Sequence, residues 1–82
     1  MGGDGGGLEF SFRSLSVLAY ANGFTLWNYR VGAGELDGVL APGFFSRSDR
    51  VLAPGDVILV TCPGGLVVLS VLEWLGGVRR IL

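Results

Sequence analysis

The side chains able to take part in acid–base chemistry are few and scattered along this sequence. It has no histidine, and its main candidates are four carboxylates: Glu35, Asp37, Asp49 and Asp56. Glu35 and Asp37 are two positions apart, so on a helix their side chains do not face each other. Near a helix start, acidic residues are expected from the helix dipole alone. The pattern therefore predicts no catalytic site and a protein that is not an enzyme.

Cys62 is the single cysteine and the remaining candidate for nucleophilic or metal chemistry. It cannot form a disulfide within the chain, and it offers no metal-ligand spacing. It ends an apolar run before Pro63, and histidine, the usual base for a catalytic thiolate, is missing. We expect a buried, inert thiol, with no metal and no cofactor bound.

The distribution of charge argues against nucleic acids and membranes as partners. The net charge is −1, and the six basic residues are spread out or at most paired: Arg13, Arg30, Arg47, Arg50, Arg79 and Arg80. Nucleic-acid binding favours a clustered basic face. The uncharged stretch Val57–Leu72 is broken by Pro63 and is shorter than the roughly 20 apolar residues of a membrane helix. The start of the chain lacks signal-peptide features, which predicts synthesis in the cytoplasm.

Hydrophobic residues are in excess for a chain of this length. They make up 50% of the 82 residues, while 16% are charged. A domain of this size buries only about 60–65% of its unfolded surface. Because large exposed apolar patches usually mark interaction sites, we expect part of this material to face a partner. Self-association or docking into an assembly is the first expectation, and a hydrophobic monomer is the alternative. Among self-associated forms we expect a symmetric homo-oligomer, with a trimer as one option.

The first seven residues differ in composition from the rest. Residues 1–7 contain five glycines and predict a flexible arm, and residues 8–82 predict one small β domain. The arm is expected to become ordered against a partner. The partner-binding set is Gly2, Gly3, Asp4, Gly5, Gly6, Gly7, Leu8, Phe10 and Phe12.

Alternating segments predict the strands of the first half. Leu8–Phe12 alternates apolar and polar residues, which is typical of a half-buried strand. Val17–Tyr20 is a second strand or a short helical segment, and Asn22-Gly23 is a hairpin turn signal. Phe24–Val31 is the clearest strand, and the change of apolar parity before Trp27 predicts either cover on both faces or a bulge.

The second half combines a short helix with further strands. Apolar spacing predicts a helix at 35–41, which Pro42 ends. Val57–Thr61 reads as a strand buried on both faces, 66–72 as its hairpin return, and 78–82 as an edge strand guarded by two arginines. The sequence thus predicts a mainly β fold: a small single-domain β-sheet or open β-barrel or sandwich with one short helix.

Two sets of residues are expected to hold this scaffold together. The core or interface anchors are Phe24, Leu26, Trp27, Tyr29, Phe44, Phe45 and Trp74. The turn positions are Gly43, Pro54, Gly55 and Asp56, with Asp56 expected to accept hydrogen bonds from turn amides. The aromatic residues could instead line a sugar-binding platform.

Two segments, GFTLWNYR and APGFFSRSDRVLAPGDVILV, resemble a pattern in small tailed-phage proteins, in which a G-F-x-L-W-x-Y strand precedes A-x-G-Y-F-N-D-A-A-D-x-L-x-x-G-D-x-I-x-V. The matching residues are Gly23, Phe24, Leu26, Trp27, Tyr29, Gly43, Phe45, Asp49, Leu52, Gly55, Asp56 and Ile58. Phe44 stands where tyrosine is usual, and Ser46 and Arg47 replace the Asn-Asp pair. The resemblance covers about half of the chain.

The resemblance implies a virion component of the capsid decoration or head-fibre type. Such a protein would bind the major capsid protein or another virion protein, associate with copies of itself and reside in the virion after synthesis in the bacterial host cytoplasm. The alternative is a glycan-binding or host-surface-binding module on a virion fibre or tail, with Trp27 or Trp74 as the platform.

Overall fold

The structure, a computed structural model, describes residues 8–82, which form five strands, one α-helix and two 3₁₀ turns. The strands are β1 (Leu15–Ala21), β2 (Phe24–Arg30), β3 (Val57–Cys62), β4 (Gly65–Glu73) and β5 (Gly77–Arg80). The helix α1 spans Leu36–Val39, and the 3₁₀ turns span Phe12–Ser14 and Phe44–Ser48. The mainly β fold with one short helix is confirmed, and the sheet does not close into a barrel.

The five strands form one mixed sheet in the order β1-β2-β3-β4-β5. Neighbouring strands are antiparallel except β2 and β3, which are parallel. A parallel pair needs a crossover, and residues 31–56, which include α1 and the second 3₁₀ turn, form it. We call the side of the sheet beneath this crossover the covered face and the other side the open face.

The core lies between the covered face and the crossover. The buried strand residues are Tyr29, Ile58, Val60, Val67, Leu69 and Val71, and those of the crossover are Val31, Val39, Phe45 and Leu52. Along β3 and β4 they alternate with partly buried or exposed residues, as expected for a sheet covered on one side. The prediction that β3 is buried on both faces is therefore wrong, since Val57 and Leu59 on its other side are only half-buried.

The first described residues are not a strand, contrary to the prediction for Leu8–Phe12. Phe10 is buried and stacks on Tyr29, with ring centroids 5.4 Å apart and planes 14° from parallel. The Ser11 N–H donates to the Tyr29 hydroxyl over 2.9 Å. The alternation of this segment therefore reflects one aromatic ring inserted into the core rather than pairing with a neighbouring strand.

A bulge interrupts the pairing of β1 with β2, but it lies in β1, whereas the change of apolar parity lies in β2. The register of the β1–β2 pair shifts between Val17 and Ala19, opposite Trp27 and Leu26, and leaves Leu18 as the extra residue of a bulge. Neither alternative holds within β2, because β2 pairs with β3 without a register shift and Phe24 is exposed. The apolar parity changes because Phe24 and Leu26 lie on the open face, whereas Trp27 lies on the covered face beside Ile58. The turn after β1 is confirmed, with Gly23 at a φ of 103°.

Candidate functional site

The open face of the sheet is mostly apolar. Strand register brings its side chains into rows that run across β1–β4. Its apolar members are Ala19, Ala21, Phe24, Leu26, Val57, Leu59, Leu66 and Val68. Arg30 and Glu73 end their strands, and Arg79 lies on β5, so the charged side chains stand at the periphery. The centre of the face is left uncharged and partly accessible.

Two polar residues at the centre of the open face bind groups within the sheet. The Asn28 side-chain N–H₂ donates to the Leu59 carbonyl and to the Thr61 hydroxyl, each over 3.0 Å. Burying a polar group is costly mainly when it loses its hydrogen-bond partners. Because these bonds lie within the chain, a partner can cover this part of the face without breaking them.

Asp56 is the most heavily hydrogen-bonded side chain in the described part of the molecule, and its residue is 4% exposed. Its carboxylate accepts the Thr25 N–H at 2.9 Å, the Trp27 indole N–H at 2.9 Å and the Ala53 N–H at 3.1 Å. The predicted bond to a turn amide is confirmed by the Ala53 contact. The bonds to Thr25 and Trp27 join the start of β3 to β2, which makes Asp56 a structural residue.

Among residues 8–82, the other titratable groups do not assemble into a site. The Glu35 carboxylate accepts the Gly32 N–H at 2.6 Å, and Glu9 pairs with Arg47 at 3.4 Å on the surface. Within residues 8–82, no group of three or more side chains is placed to hold a metal ion. Cys62 is half-buried rather than fully buried. In the same range, no helix is long and apolar enough to cross a membrane.

The predicted anchors divide by burial. Tyr29 and Phe45 are core residues, whereas Leu26, Trp27 and Phe44 are half-buried. Phe24 and Trp74 are exposed and do not anchor the core. For these two residues, only the predicted role as interface anchors remains. The turn positions Gly43 and Gly55 have φ of 79° and 94°, and Pro54 precedes Gly55 in its turn.

The predicted partner-binding residues also separate. Phe10 is packed in the core of its own chain, which corrects its assignment to a partner, and Leu8 is half-buried against Gly38. Phe12 is exposed. The remaining members, residues 2–7, lie outside the described residues. The sequence did not reveal the open face. Its apolar residues look in the sequence like residues of a buried strand, and only the packing of the crossover shows that one side of the sheet is left uncovered.

Comparisons with protein families, with curated proteins and with solved structures find no match to this chain. The likeness to small tailed-phage proteins therefore rests on the residues of the two segments alone. The two segments are in contact in the fold, since Trp27 of the first donates its indole N–H to the Asp56 carboxylate of the second.

Proposed function

We propose that this chain is a non-enzymatic structural protein of a virion, a capsid decoration or head-fibre component that binds the phage shell and associates with copies of itself. The observation that supports this function is the open face of the sheet, which is mostly apolar and has an uncharged centre. A monomer would leave that face in water, whereas a protein with a permanent neighbour gains free energy by burying it. The major capsid protein or another virion protein is the proposed neighbour.

The size of the open face fits contacts that are individually weak and repeated. Four strands spaced about 4.8 Å apart and about 20 Å long present roughly 400 Å². A stable pair of proteins buries about 800 Å² on each partner. One copy would therefore bind weakly, and many copies on one shell would bind strongly through avidity.

The residues shared with small tailed-phage proteins support the same class of function. Several of them, including Trp27, Gly55 and Asp56, serve turns and hydrogen bonds that position β2 beside β3. A pattern that preserves a scaffold rather than a reactive group is typical of a structural protein. The virion is accordingly the proposed location.

Co-sedimentation with phage heads that lack this protein tests the proposal. Leu66 is 57% exposed on the open face, and Val51 is 44% exposed in the crossover, so Leu66→Glu and Val51→Glu are matched apolar-to-acidic changes. We expect saturable binding of the natural chain and of Val51→Glu, and at least a tenfold loss for Leu66→Glu. Equal binding of the two variants, or no binding of the natural chain, would overturn the proposal.

A glycan-binding module on a fibre or tail is the second candidate, and the exposure of Trp74 favours it. Trp74 is 44% exposed in the turn between β4 and β5, while the indole N–H of Trp27 is already bonded to Asp56. Aromatic rings at such positions can stack on sugars. A sugar-induced change in tryptophan fluorescence that disappears in Trp74→Phe would favour this function over shell binding.

A further inference from the structure

The two edges of the sheet are built differently. β5 is four residues long and carries Arg79 and Arg80, and charged residues and short length both protect an edge from pairing with another strand. β1 is seven residues long, LSVLAYA, and contains neither a charged residue nor a proline. From Ser16 to Ala21 every residue is exposed. Among residues 8–82, one edge is therefore protected and the other is open to a further strand.

Backbone groups of β1 face outward at Tyr20. Tyr20 pairs with Thr25 of β2, but the Thr25 N–H donates to the Asp56 carboxylate on the far side of β2. In an antiparallel ladder, opposite residues alternate between pairs that exchange hydrogen bonds and pairs that do not. Because the Thr25 N–H points away from β1, Tyr20 and Thr25 form a pair that does not. The N–H and C=O of Tyr20 consequently point to the free edge, and its side chain is 81% exposed.

We propose that β1 pairs with β1 of a second copy, antiparallel, with the two-fold axis at Tyr20. A two-fold interface brings the same patch of both copies together, so an uncharged edge meets an uncharged edge without repulsion. The bulge at Leu18 limits regular pairing to the hairpin side of β1, where Ala19, Tyr20 and Ala21 keep their register with β2. Each Tyr20 N–H then donates to the Tyr20 carbonyl of the other copy.

This pairing deepens the self-association in the proposed function. The two-fold axis of antiparallel strands is perpendicular to the sheet, so both open faces lie on the same side of a ten-stranded sheet. Two faces of roughly 400 Å² then give about 800 Å², the size typical of one side of a stable interface. The use of this doubled face for shell binding rests on the proposed function, whereas the pairing itself does not.

Removing one backbone donor tests the pairing. Tyr20→Pro deletes the outward N–H without deleting a donor of the β1–β2 ladder, and Tyr20→Ser changes the side chain but keeps that N–H. We expect sedimentation equilibrium up to about 100 μM to detect a dimer of the natural chain. Tyr20→Pro should weaken the dimer at least tenfold, and more than Tyr20→Ser does. A natural chain that stays monomeric, or a folded Tyr20→Pro that dimerises equally well, would overturn the proposal.

A cysteine variant serves if Tyr20→Pro does not fold, as circular dichroism would show. Residues exchanging hydrogen bonds across antiparallel strands have Cα atoms about 5.5 Å apart, a distance that a disulfide spans. In a Cys62→Ser background, Tyr20→Cys should form a disulfide-linked dimer on mild oxidation and Leu66→Cys should form far less. Equal yields would contradict pairing at Tyr20. Leu66→Glu separates the two proposals, because it should weaken head binding at least tenfold and leave the β1 dimer intact.

Discussion

At the scale of single residues, Asp56 joins segments that are distant in the sequence. Its role in the turn can be predicted, because Pro54-Gly55-Asp56 is a local signal and the Ala53 N–H is three positions away. Its bonds to Thr25 and Trp27 span 31 and 29 positions and depend on the parallel pairing of β2 with β3. No local sequence pattern around Asp56 identifies Thr25 and Trp27 as its hydrogen-bond donors.

Replacing Asp56 by asparagine should destabilise the fold substantially. The amide presents one oxygen and one N–H₂ group to three donors, so at least one donor loses its acceptor. We expect the free energy of unfolding to fall by about 2–3 kcal/mol in urea titrations, since hydrogen bonds to charged groups are the stronger ones. The control is Asp37→Asn, an exposed aspartate of α1, which should change stability by less than about 0.5 kcal/mol. Similar losses in both would refute the structural role of Asp56.

Gly76 occupies a position that only glycine fits. It is buried in the β4–β5 turn at a φ of 88°, and a Cβ atom there would overlap the backbone carbonyl of Phe45. Gly64, in the β3–β4 turn at a φ of 80°, has no atom within 4 Å of its would-be Cβ. The two glycines thus share a left-handed backbone that would strain any residue with a Cβ, but they differ in available space.

Alanine substitution at these two glycines should therefore give different losses of stability. Gly64→Ala should cost about 1 kcal/mol, from the left-handed backbone alone. Gly76→Ala adds a clash with a rigid neighbour, for a total of about 2–4 kcal/mol. The midpoints of thermal or urea unfolding measure the difference. Equal losses would show that the turn moves freely away from the second 3₁₀ turn.

At the scale of elements, hairpins could be predicted from the sequence and the order of strands across the sheet could not. The turns at Asn22-Gly23 and Pro63-Gly64 carry local signals, and the strands beside them form as expected. The parallel pairing of β2 and β3 depends on where the crossover packs, which is set by Val39, Phe45 and Leu52 together. For the same reason the sequence did not show which face of β3 would stay open.

The segment before β1 illustrates how one side chain can override a pattern. Phe10 lies among Tyr29, Phe44 and Phe45, with ring centroids 5.4–6.3 Å away. We expect Phe10→Ala to lower the free energy of unfolding by about 3–4 kcal/mol in urea titrations, as for other large-to-small core changes. Phe12→Ala, at an exposed ring, should lower it by less than about 1 kcal/mol. A neutral Phe10→Ala would restore the idea that this ring serves a partner.

At the scale of the whole molecule, the excess of hydrophobic residues is divided among three places. The core takes the covered face and the crossover, and much of the remainder lies on the open face and along β1. Composition alone predicted the excess, since a chain this short cannot bury all of it. Composition could not predict that the exposed hydrophobic residues would form one face of the sheet and the edge beside it. Because the face and the edge adjoin without overlapping, shell binding through the open face and pairing through β1 are geometrically compatible.

The crossover also bears on the order of events when the chain folds. β1–β2 and β3–β4–β5 each close through short turns, whereas the β2–β3 ladder must first enclose residues 31–56. Because long loops close more slowly than hairpins, we expect this ladder to form after the folding barrier. Asp56→Asn should then accelerate unfolding and barely slow refolding in stopped-flow experiments, and mainly slower refolding would contradict this. The carboxylate that joins β2 to β3 would thus act as a late latch, setting how long a native molecule survives rather than how quickly it is made.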